Sequence, residues 1–134
     1  MRIITLMAAA ILMVCSWQAA AQDAGTADLQ DFTLENGDDL ADLCDAQPAN
    51  ELYAEAKQFC FGFLSGVVHF HDALAMGPNF GPLVCPEGEV TRADGVDIYV
   101  AWAKANPDEA VNSNPAEAVV KAALDKWGRC QREG

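Results

Sequence analysis

The side chains of this 134-residue chain that could do chemistry are five cysteines, two histidines and 20 carboxylates. Cys44, Cys60, Cys85 and Cys130 lie along the body of the chain, and Cys15 sits in its apolar start. An even set in an exported chain points to disulfides, and spacing alone leaves all pairings of the four open. Zinc is the rival use, but there is no CxxC pair and the histidines lie elsewhere. A cysteine nucleophile would leave one bridge unmade. His69 and His71 are two positions apart, which on a helix turns them away from each other, and His71 and Asp72 likewise diverge. There is no HExxH, no GxSxG and no phosphate-cradling glycine loop. Carboxylate pairs arise by chance in a chain this acidic. The expectation is a protein that is not an enzyme, with no catalytic residue, no metal site and no cofactor.

The elements that carry these residues read as helices. Leu40, Leu43 and Cys44 share a face of a short helix from Asp38, whose acidic start suits the helix dipole. Gln47-Pro48-Ala49-Asn50 breaks it. A long helix follows over 51–76, capped by Asn50. Its apolar positions Leu52, Ala56, Phe59, Cys60, Phe63, Val67, Phe70 and Leu74 recur every three or four residues. Gly62 and Gly66 lie four apart on it and are read as a site of close backbone packing, since glycine in mid-helix otherwise costs stability.

Residues 77–86 hold two glycines and three prolines and form a loop. Phe80, Leu83 and Val84 are expected to tuck inward, because Cys85 tethers the loop. Thr91 to Asp94 reads as a helix cap. The helix behind it buries Val96, Tyr99, Val100 and Ala103 and stops at Asn106-Pro107. Asn114 and Pro115 start the last helix, which buries Val119, Val120, Ala123, Leu124 and Trp127 and ends at Gly128.

The first residues are Met1-Arg2 and then about a dozen mostly apolar ones, short of the roughly 20 needed to cross a bilayer. Ala19-Ala20-Ala21 is a small-x-small cleavage pattern. Residues 1–21 are therefore read as a signal peptide cut after Ala21, with residues 22–36 as a flexible acidic lead-in. Val14 before Cys15 is bulky, which favours release over lipid anchoring at that cysteine. No later segment is apolar enough to span a membrane. The net charge of −12 repels nucleic acid and anionic lipid and suits a basic protein partner.

Several segments now stand together: Leu40-Ala41-Asp42-Leu43-Cys44; Phe59-Cys60-Phe61-Gly62-Phe63-Leu64-Ser65-Gly66-Val67 with Asp72-Ala73; Val84-Cys85-Pro86-Glu87-Gly88 with Val90-Thr91; Ala105-Asn106-Pro107-Asp108; and a helix from Ala116 that closes on Cys130. The set resembles the Rap/Tai family of immunity proteins, which guard bacteria against cell-wall amidase effectors delivered by type VI secretion. Glu89 interrupts the family's Pro-x-Gly-Val-Thr run, and Gly128-Arg129 stand where an apolar residue and a proline are usual.

The resemblance covers about Leu40 to Cys130. It implies an all-α fold, a small bundle of four to five helices stapled by two disulfides over residues 37–131. It also implies a periplasmic inhibitor of a secreted peptidoglycan amidase, with a possible homodimer. We expect Cys44 to pair with Cys60, joining neighbouring helices. Cys85 then pairs with Cys130, tying the loop to the chain end. The expected partner contacts are Asn79, Phe80, Glu87 and Glu89. The alternative is an orphan periplasmic binding module or an acid-stress chaperone, also exported, helical and disulfide-bonded.

Overall fold

A computed structural model describes residues 27–131. The expected signal peptide, its cleavage point, Cys15 and residues 22–26 of the lead-in lie outside the described residues. Those described form five α-helices and one short 3-10 turn: α1 Gly37–Asp45, α2 Tyr53–Ala75, α3 Arg92–Ala105, α4 Pro107–Asn112 and α5 Pro115–Trp127. The all-α expectation holds, as does the expected pairing of the cysteines.

A short apolar face sits at the centre. Helix α1 packs against each of the other four helices, and Leu40, Leu43 and Cys44 are completely buried. Asn36 starts it by accepting hydrogen bonds from the Asp38 and Asp39 N–H groups, while the Asp39 carboxylate answers the Asn36 N–H. At the other end the Lys57 ammonium of α2 donates to the Cys44 carbonyl at 2.5 Å, satisfying a carbonyl that the helix end leaves orphaned. Cys44 is bonded to Cys60 across a Cα–Cα distance of 5.1 Å, so the bridge lies inside the core.

Two glycines act differently from their spacing. Gly37, at the first turn of α1, is the close-packed one. A Cβ there would lie 2.6 Å from the Ala118 Cβ and 2.9 Å from the Ala110 carbonyl oxygen. Gly62 and Gly66 are exposed, and a Cβ on either would meet nothing within 4 Å. The close-packing expectation for them is corrected. They share a face, as four-residue spacing requires, but that face looks outward.

The lead-in is corrected as well. From Ala27 onward it is folded against the domain, with Ala27 and Asp31 buried and a 3-10 turn at Asp31–Thr33. Phe32 meets Phe59 of α2 edge to face at 5.4 Å between ring centres. Asn50 accounts for part of this. Its amide donates to the Ala27 carbonyl while its oxygen accepts the Leu52 N–H, so it anchors the incoming chain and α2 begins later, at Tyr53.

The other caps follow the sequence. Thr91 and Asp94 make the reciprocal capping pair of α3, and Asn114 accepts the Glu117 N–H at the start of α5. Gly128 ends α5 at φ +71°, in the region that glycine favours. Helix α5 buries Ala118 and Ala122 against the core. Val119, Val120, Ala123, Leu124 and Trp127, expected inside, are only half-buried.

Candidate functional site

Helix α2 is 23 residues long, and its buried residues, Ala56, Cys60 and Leu64, lie no farther along than its midpoint. The apolar stripe continues past them, but the helices facing it are shorter: α1 has 9 residues, α3 14 and α5 13. At 1.5 Å of rise per residue the long helix outruns its cover. Phe70 and Leu74, one turn apart, are therefore 67% and 44% exposed instead of buried as their period suggested.

The loop after α2 is held in place by three separate ties. The Leu83 N–H donates to His71 Nε2 at 2.8 Å. The Leu83 carbonyl accepts the Cys130 N–H at 3.1 Å. Cys85 is bonded to Cys130 with a Cα–Cα distance of 5.3 Å. Because His71 Nε2 accepts, its proton is on Nδ1, which lies 3.1 Å from the Asp72 carboxylate and donates to it. The divergence expected for these two neighbours is thus corrected: exposed Asp72 folds back onto the ring and fixes its tautomer. His71 has a structural task, clasping the loop to α2.

Held this way, the loop splits its apolar residues. Leu83 and Val84 are half-buried, as expected for tucking, whereas Phe80 is 61% exposed. Asn79, Glu87 and Glu89 are exposed too. All four expected contact residues therefore belong to one loop, and all are accessible. The neighbouring end of α2 adds Phe70, Leu74 and Met76. Of the eight exposed large hydrophobic side chains among the described residues, six fall between Val68 and Val90. Scattered apolar side chains need no explanation, but this run of them along one stretch of the chain makes the end of α2 and the loop the candidate interaction region.

The loop itself carries two exposed carboxylates, Glu87 and Glu89. Near the loop's end, hydrogen bonds from the Thr91 hydroxyl and N–H hold the Asp94 carboxyl below its ordinary range. Asp94 therefore stays ionised and capping. Phe70 and Met76 went unpredicted as contacts. The signal was available in the length of the α2 stripe, which exceeds that of every other predicted helix. Among the described residues no helix is long and apolar enough to cross a membrane. No group of three or more His, Cys, Asp or Glu among them could hold a metal ion.

Comparison with curated proteins and with solved structures returns no match. The family model of Rap1a immunity proteins, in contrast, matches residues 36–129. That stretch opens on the Asn36 cap, spans the five helices, the clasped loop and the core disulfide, and stops one residue short of Cys130. With the greater part of the chain matched over its whole helical body, the protein belongs to the family of Rap1a immunity proteins.

Proposed function

We propose that the protein is a periplasmic immunity protein that binds and inhibits a peptidoglycan amidase delivered by type VI secretion, gripping it with the clasped loop and the exposed end of α2. Membership of the family implies immunity against a secreted effector; the amidase target and the compartment are the finer reading. Two disulfides favour an oxidising compartment such as the periplasm, which is where a cell-wall amidase acts. The net charge of −12 favours rapid capture of a basic enzyme.

The observation that carries the reading is the exposure of Phe70 and Met76 at the end of α2 and of Phe80 on the loop that follows, a loop that also bears the exposed Glu87 and Glu89. Apolar anchors with an acidic rim suit a protein partner better than a small substrate. The wild-type gene should protect a deletion strain when a sister strain delivers the amidase, and a Phe80→Asp, Met76→Asp variant of unchanged helicity should not. Full resistance of the deletion strain without any complementing gene would refute the reading.

A further inference from the structure

We infer that the domain carries, next to its partner surface and sharing the clasped loop with it, a binding site for a single-chain anionic amphiphile, in a cavity between α2, α3, α5 and that loop. The cavity measures about 440 Å³, within the range of small-molecule sites, roughly 300–1,000 Å³. Its walls are mostly aliphatic: Leu64 and Val68 from α2, Ile98 from α3, Val119 and Trp127 from α5, and Leu83 from the loop. These walls explain why the outer face of α5 is only half-buried. It borders open space instead of packed side chains.

Gly95 is the second observation. It lies inside α3, lines the cavity and has no positive φ that would require glycine. A Cβ there would meet nothing within 4 Å, so no close approach of another backbone requires it either. What the missing side chain provides is room. A glycine that weakens its helix and serves only to widen an apolar cavity fits a cavity meant to be filled. Water fills it less well than an apolar chain would, since most of the wall is apolar and its polar groups, Ser65, His69, Thr91 and Arg92 among them, are a minority.

The ligand class follows from size and charge. A cavity of about 440 Å³ lies in the lower part of the range for small-molecule sites and has room for a medium-length alkyl chain with its head group. Arg92 lines the cavity at the first position of α3 and is exposed, and it belongs to none of the ion pairs among the described residues, unlike Lys104 and Lys121. Asp72, the acid of the lining, is turned to His71. The guanidinium therefore stands at an apolar cavity without an anion of its own, in a chain where cations are scarce, and a carboxylate or other anionic head group would satisfy it.

The test uses the folded chain with no effector present, so its outcome is separate from that of the immunity reading. Dodecanoate and dodecanol are titrated below their aggregation concentrations, with calorimetry and the fluorescence of Trp127 as readouts. Expected is saturable binding of one dodecanoate per chain. Arg92→Gln should weaken dodecanoate by about tenfold or more and leave dodecanol unchanged. Gly95→Leu should abolish both while keeping the helical circular dichroism, because its side chain enters open space. Val119→Phe fills the same space from α5 and should do likewise. No saturable binding, full binding to either filled variant, or equal loss of acid and alcohol in Arg92→Gln would overturn the proposal.

Discussion

The Tyr99 hydroxyl donates a buried hydrogen bond to the Gly37 carbonyl at 2.6 Å, across 62 positions of sequence. It joins the middle of α3 to the first turn of α1, where Ala118 and Ala110 also close in on Gly37. Burial, with the Asp38 and Asp39 charges, pushes the Tyr99 hydroxyl well above its ordinary range, so it remains a donor. Tyr99→Phe should cost about 1–3 kcal/mol by leaving a buried acceptor short of its partner. Gly37→Ala should cost about 1–3 kcal/mol by overpacking. Urea unfolding of each variant checks this, and an unchanged midpoint in Gly37→Ala would contradict the close approach.

Two partly buried carboxylates should make part of the stability depend on pH. Burial, then the neighbouring Asp39 charge, raises Asp38; burial raises Asp31, partly offset by the Asp28 N–H. Both acids bind their proton more tightly folded than unfolded. Their contribution is fully present below the unfolded value near 3.8 and is lost as pH rises through the raised folded values. At neutral pH both carboxylates therefore oppose folding. Asp38→Asn should therefore be more stable than the parent at neutral pH, and melting temperatures followed on acidification towards pH 3.8 should show that advantage closing. Asp94 has the opposite sign: its stabilisation is present above 3.8 and disappears as pH falls through its lowered folded value.

The two disulfides should fail differently. By loop-closure entropy the Cys44–Cys60 bridge, over 16 positions, is worth about 3 kcal/mol, and Cys85–Cys130, over 45, about 4 kcal/mol. Replacing Cys44 and Cys60 by Ser also places hydroxyls in the core and should unfold much of the domain. Replacing Cys85 and Cys130 should keep most helicity but free the loop and weaken effector capture. Circular dichroism beside a binding assay separates the two.

Gly62→Ala and Gly66→Ala should each stabilise the chain by roughly 0.5–1 kcal/mol, because they improve helix propensity on an open face. Thermal melts combined with light scattering check this. A loss of stability with a fall in molar mass would instead mean that a second copy packs against that face.

Much of this was legible in the chain. Thr91 with Asp94, and Asn114 with Pro115, announce two helix starts because a cap is a local contract between neighbouring residues. Cys44 and Cys60 lie on helices that a short connection makes neighbours. What stayed hidden is what lies opposite a residue. Spacing assigns Gly62, Gly66, Phe70 and Leu74 to faces of α2 but does not reveal that the shorter helices leave them open. Gly37 gave no signal, because its crowding comes from Ala110 and Ala118, far along the chain. The same holds for Phe32 on Phe59 and for the His71 clasp on Leu83.

Inhibition by titration tests the central claim most directly. The mature protein is added to a purified type VI peptidoglycan amidase that its producer or a sister strain delivers, and release of cut peptide stems from cell walls is followed. The expected result is loss of activity complete near equal molar amounts, with Phe80→Asp shifting the curve to higher concentration. Undiminished hydrolysis of the walls by every such amidase, at a large excess of folded protein, would contradict the account.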